Sequence, residues 1–432
     1  MRAFNNTVGI AVASLSVCAL LLARLPLSPW PMQAAAQTPA SAPKAKEPKE
    51  LKPKEPKQPR INLPAAKGAP RAGAAAEAKP ARAPFGLEDE AEALVLGLAD
   101  ARAWGDSEEE FARLLPKVDG PWLALSGGGS DGAYAAGLLT GLTQAGKRPD
   151  FAVVTGASIG ALIAPYAFLG ARYDEELHDE FSTITAGDIF EDRPTVDSLT
   201  DSWPLERTID KRVTPQLLAD VAAEHARGRR LFVVTTNLDA GRRVIWNMGA
   251  IAARGDEQAL KLFRAVLLAS ASIPGIFPPV LIEAQSHGKT VQELHNDGTI
   301  TAPFFIAPES VLAGTGTVHL PTKQVYVVAN AKLSQQFDMT TLQTAAVLGR
   351  SISLALQSGL RIELLLTLAA AQKQGITVSV AQIDPAFDHP SRGIFDPDYM
   401  KALYDFGVEQ AKQGKGFETV DAGQTTANGL RK

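Results

Sequence analysis

From Trp122 onward, apolar and polar positions alternate between two regimes. Trp122-Leu-Ala-Leu125 is an unbroken apolar run of strand length, ended by Ser126-Gly127-Gly128-Gly129-Ser130-Asp131-Gly132. Small apolar residues from Ala133 to Ala145 then predict a helix. Phe151-Ala-Val-Val154 is a second apolar run, ended by Thr155-Gly156-Ala157-Ser158-Ile159-Gly160 and followed by a helix that meets Pro165. Short apolar runs that stop at glycine turns and hand over to helices predict buried parallel strands. Downstream, Arg230–Thr236 predicts a third strand, Asn237–Gly241 a turn and Arg243–Trp246 a fourth strand antiparallel to the third. Asp256–Ser272 reads as a helix on Leu260, Phe263, Val266 and Leu267. Strands over Lys323–Ala329 and Ile376–Ile383 flank a long helical pattern, Thr340–Gln374, read as a largely buried helix backing the sheet. Asp396–Gly414 supplies a closing helix. The expectation is an α/β fold, a three-layer α/β/α sandwich around a central, mostly parallel sheet.

The pattern is different at the ends. Val8–Ala23 is apolar and uncharged, set between Arg2 and Arg24. It falls short of the ~20 residues of a membrane span and fits a signal-peptide core, with Ala34-Ala35-Ala36 as cleavage site. Residues 1–36 are therefore read as a signal peptide or an uncleaved N-terminal anchor, and the protein as exported (periplasmic or secreted) or held at the membrane. Residues 37–84 are rich in Pro, Ala, Lys and Glu, with Lys46-Glu-Pro48 and Lys54-Glu-Pro56 repeated. Such a stretch buries too little apolar surface to order itself and predicts a semi-extended spacer. Residues 85–120 are assigned a helix over Leu87–Trp104 and a linker, residues 121–417 the main folded domain, and 418–432 a loose tail.

Composition narrows the function. A formal net charge of −4 with no basic excess argues against nucleic-acid binding. The single cysteine, Cys18, lies in the apolar run, so a processed chain would carry no disulfide. No His/Cys/carboxylate cluster has ligand spacing, so neither a metal nor an organic cofactor is expected.

Gly156-Ala-Ser158-Ile-Gly160 is a G-x-S-x-G elbow between a strand and a helix, where a serine hydroxyl is exposed at a helix N-terminus. Gly127-Gly128-Gly129 and Ser130 can turn backbone N–H groups toward it as an oxyanion hole. The same glycines, with Gly132, also spell G-x-G-x-x-G. A dinucleotide site, however, needs its acidic residue at the far end of the second strand, and Asp150 stands at the near end. These motifs, with Asn296-Asp297-Gly298 and Ala269-Ser-Ala-Ser-Ile-Pro-Gly-Ile-Phe-Pro278, resemble those of the patatin-like phospholipases. The resemblance implies a serine–aspartate dyad in which Ser158 attacks an acyl carbonyl of a lipid or phospholipid ester and Asp297 accepts its proton. Gly132, Gly156, Gly160 and Gly298 support the motifs, and the substrate implies work at a membrane surface. Two residues depart from the family pattern: Asp131 in the glycine loop and Thr299 after Asp297-Gly298. They motivate an alternative, a catalytically silent binding domain of the same fold; a nucleotide-binding oxidoreductase is the weaker rival. His295 shares a strand face with Asp297 and is the alternative base, and His319 or His389 would fit a Ser…Asp…His order.

Overall fold

The computed structural model describes residues 82–420 except 194–197 and 199. The expected signal segment, nearly all of the spacer and the end of the tail lie outside the described residues, as does part of the irregular stretch 188–204 that precedes the third strand.

Ten strands form one mixed sheet, in the order β1-β5-β4-β3-β2-β8-β9-β10, with β7 also pairing β4 and β6 pairing β7. Its centre is parallel. β4 (Arg230–Asn237), β3 (Val153–Ala157), β2 (Trp122–Leu125), β8 (Gln324–Ala329) and β9 (Thr377–Gln382) all run the same way. Antiparallel partners flank them: β5 (Arg242–Asn247) and β1 (Arg102–Trp104) on one side, β10 (Glu418–Thr419) on the other. Every residue of β2, β3 and β4 is buried, as helices on both faces require.

Helices α1 (Gly132–Gln144), α2 (Ile159–Leu169), α3 (Glu257–Ser270) and α5 (Pro397–Lys412) contribute to the core on one face, through Leu138, Ile163, Phe263 and Leu403. The opposite face packs Phe111, Phe304, Phe305 and the second half of α4 (Thr344–Gln374) against the sheet. The three-layer α/β/α reading is the observed architecture, with antiparallel flanks added.

Several expectations need correction. Leu87–Trp104 is not one helix: only Leu87–Glu90 is helical, Leu96 and Gly97 take left-handed conformations, and Arg102–Trp104 pair with β5. Completing a sheet edge overrides the local helical pattern. Arg82, placed in the spacer, pairs with Asp239 at 2.6 Å, and Glu418–Thr419, placed in the tail, pair with β9. A hairpin of β6 (Val280–Ser286) and β7 (Lys289–Asp297), which the sequence reading does not assign, follows the proline-bearing segment. Its two-residue turn is His287-Gly288, with both φ values positive as this tight turn requires. Finally, α4 is not largely buried. Among its described residues, burial begins only at Leu360.

Candidate active site

The glycine turn after β2 and the elbow after β3 meet at the carboxyl edge of the sheet, because their strands are parallel neighbours. Ser158 has φ 55° and ψ −127°, a conformation that costs a non-glycine residue roughly 1–3 kcal/mol. The surrounding structure holds it there. Its N–H donates to Ser270 Oγ (3.1 Å), and that hydroxyl donates to the Val234 carbonyl (2.7 Å). Gly160 permits the tight turn: a Cβ there would lie 2.5 Å from the Leu125 carbonyl oxygen.

Asp297 ends β7, which pairs antiparallel with β4 and so reaches the same edge. Ser158 Oγ donates to Asp297 Oδ2 at 2.7 Å. The other carboxylate oxygen, Oδ1, accepts from the Thr299 N–H (2.8 Å) and hydroxyl (2.6 Å). The Asp297 N–H donates to the Ser272 carbonyl at 3.0 Å. Ser158 and Asp297 are 6% and 1% exposed. Burial pushes the Asp297 carboxyl up to about 6, against the lowering effect of its bonds from Thr299 and Ser158. It is thus a stronger base than an ordinary aspartate and still largely ionised at neutral pH.

The glycine turn packs directly on this pair. A Cβ on Gly127 would lie 2.3 Å from Thr299 Cγ2 and 3.1 Å from Ser158 Cβ. Of the four residues expected to hold an oxyanion, Gly127 does not offer its N–H, which is donated to the Pro303 carbonyl (3.1 Å). The N–H groups of Gly128, Gly129 and Ser130 open a short 3-10 turn and have no acceptor among the described residues. The hydroxyl of Ser130 is engaged elsewhere, accepting from the Phe395 N–H at 2.8 Å.

Both departures from the family pattern find a place. Thr299 orients the carboxylate. Asp131 accepts from the Tyr399 hydroxyl (2.7 Å), and burial raises its carboxyl to about 6.

His295 is buried close by but is spoken for. Its Nδ1 meets Thr235 Oγ1 at 2.9 Å and its Nε2 meets Glu293 Oε2 at 3.2 Å. Trp246 Nε1, a donor only, also bonds Thr235 Oγ1 (2.7 Å). Burial lowers the imidazole's pKa, and its Nε2 faces the Glu293 carboxylate. Arg102 closes this network through both oxygens of Glu293, at 2.6 and 2.8 Å. His319 contacts the Thr317 carbonyl and His389 stacks near Phe387 and Tyr399, and no contact joins either to the dyad. Asp150 precedes β3, at the opposite edge of the sheet from the glycine turn.

Sequence reasoning missed two roles. Ser270 and the Ser272 carbonyl hold the backbones of both dyad residues, although the segment itself was singled out by its motif. The hydroxyl of Thr299, read from sequence only as a departure from the family pattern, orients the Asp297 carboxylate.

No curated protein matches the chain. Among solved structures, VipD from Legionella pneumophila is similar at 13% identity and a TM-score of 0.30, over 70% of this chain and 68% of that one. The family model described as patatin-like phospholipase matches residues 123–308, a span that holds the glycine turn, Ser158 and Asp297. Over residues 123–308 the chain therefore matches a patatin-like phospholipase domain.

Proposed function

We propose that this protein is a serine lipid acyl hydrolase, of the phospholipase A or lysophospholipase type, that cleaves carboxylic esters through an acyl-enzyme on Ser158. The 2.7 Å bond from the Ser158 hydroxyl to a buried, oriented carboxylate carries the reading. Ser158 Oγ attacks the ester carbonyl carbon as its proton passes to Asp297 Oδ2. The oxyanion formed accepts from the N–H groups of the turn around Gly128, Gly129 and Ser130, each donor of this kind being worth ~10²–10³ in turnover. Collapse of the intermediate breaks the ester bond, and Asp297 returns the proton to the leaving alcohol. A water molecule then repeats the sequence in reverse, giving up its proton to Asp297 and releasing the acid. The apolar run within residues 1–36 supports a site of action outside the cytoplasm or on a membrane, which N-terminal sequencing of the mature protein would check.

A fluorophosphonate reagent tests the chemistry. Labelling of the wild-type chain and none in Ser158→Ala is the expected result, with ester turnover collapsing in Asp297→Asn. An unlabelled wild-type protein would refute the hydrolase reading, and full turnover in Asp297→Asn would move the base elsewhere.

A further inference from the structure

The connection from β8 to β9 is longer than the fold needs. The two strands are parallel, so the chain leaves β8 at the carboxyl edge, beside the glycine turn, and must return to the opposite edge. Six residues of β8 rise about 20 Å. The 31 residues of α4 rise about 46 Å. The part from Leu360 to Gln374 spans about 22 Å, which matches the sheet, and it is there that buried side chains occur. Gly359 marks the level of the edge: a Cβ on it would lie 3.2 Å from Pro303, whose carbonyl accepts from the oxyanion-loop residue Gly127. The preceding helix, about 24 Å of it, overhangs the active-site edge.

The overhang is apolar where it should be polar. Val347, Leu348 and Leu354 are exposed on it, and the stripe continues through Ile362 and Leu365. The segment leading into the helix runs beside it, since Arg361 donates to the Leu333 carbonyl and Arg350 to the Gln336 carbonyl. That brings Phe337 (94% exposed) and Leu342 (100% exposed) to the far end. From Ala331 to Ile362 the charged residues are Lys332, Asp338, Arg350 and Arg361, three basic against one acidic in a chain of net charge −4. An apolar stripe bordered by arginines, on a helix with charged residues inside its length, lies in a lipid interface rather than across it.

We infer that the overhanging half of α4, with the Phe337–Leu342 tip, docks the enzyme on an anionic lipid surface with the Ser158 edge facing that surface. This inference rests on the lipid-hydrolase reading, because the bilayer is then both support and substrate. Its other possible occupants are a second copy of the chain and the chain's own N-terminal apolar run.

The test uses the full chain with Cys18→Ser, so that Leu354→Cys carries the only thiol, labelled with an environment-sensitive fluorophore. Lys401→Cys, exposed on α5, is the control. On phosphatidylglycerol–phosphatidylcholine vesicles the label at 354 should brighten about twofold or more and be quenched by brominated lipid, with no response at 401. In parallel, Leu348→Asp with Leu354→Asp should slow hydrolysis of vesicle-borne ester about tenfold or more and leave a monomeric short-chain ester within about twofold. Vesicles that sediment the protein without a response at 354 overturn the docking, because the N-terminal run alone would then be holding it. A label already shielded before vesicles are added also overturns it, in favour of a second copy or the chain's own N-terminus. A responsive label in a protein inert toward the monomeric ester supports the docking and removes the hydrolase reading instead.

Discussion

Replacing Thr299 by valine removes one hydroxyl and leaves the methyl group that packs on Gly127. In the intact protein that hydroxyl donates to Asp297 Oδ1 at 2.6 Å, and it is the largest influence opposing the upward push of burial on the carboxyl. A hydrogen bond to a charged group contributes about 1.5–3 kcal/mol, which converts to about one to two pKa units. Asp297 would then titrate between about 7 and 8 rather than about 6. At pH 7 the ionised fraction falls from about 0.9 to between about 0.5 and 0.1, and by pH 9 it is about 0.9 or higher in both proteins. The expected result is a loss of about two- to tenfold in kcat/KM at pH 7 that largely disappears at pH 9, with the acid limb moved upward. Thr299→Ser, which keeps the hydroxyl, should return the limb to its place. The measurement is kcat/KM against pH with a soluble ester. A loss in Thr299→Val of equal size at every pH would refute the assignment of Thr299 as the group that sets the base strength of Asp297.

Three further outcomes follow from the same contacts. Asp297→Asn should abolish turnover yet stabilise the fold at alkaline pH. The raised carboxyl favours folding only while protonated, so wild-type stability is lost as pH rises through about 6, whereas the amide does not titrate. The gap reaches about 3 kcal/mol at pH 8 and closes near pH 4, as denaturant melts at the two pH values would show. Gly127→Ala should cut kcat about a hundredfold or more with little change in substrate affinity for a small ester, since the added methyl collides with Thr299 and crowds Ser158 beside the oxyanion donors. His295→Gln should lower the melting temperature by several degrees, as a buried network losing a partner does; fluorophosphonate labelling per folded molecule should persist, and its disappearance would return the histidine to the chemistry.

Much of the site was readable because its geometry follows from chain-local chemistry. A glycine on each side of Ser158 and a run of three at Gly127–Gly129 announce backbone conformations and close approaches that few other sequences permit. Asp297 was legible only through its resemblance to a family motif, since Asp-Gly by itself marks a turn. Of the four N–H groups expected of the oxyanion loop, that of Gly127 is already donated. Nothing local tells Gly127 from Gly128, and only the arrival of Pro303 from far along the chain takes the first N–H away. Arg102–Trp104 joined the sheet against a helical pattern because their partner, β5, lies well over a hundred residues downstream. The burial of α4 was misjudged for a different reason. An apolar helix reads the same whether protein or another medium covers it, and only the height of the sheet beneath shows how much lies uncovered.

The four residues Ala269–Ser272 grip the Ser158 amide by a hydroxyl and the Asp297 amide by a carbonyl. The separation between Ser158 and Asp297 is thus referenced to one helix terminus, as two hands on a clock share a spindle. Bending or breathing of the broad sheet carries both groups along together. A substitution that tilts the end of α3 would therefore disturb the Ser158–Asp297 bond without touching either side chain.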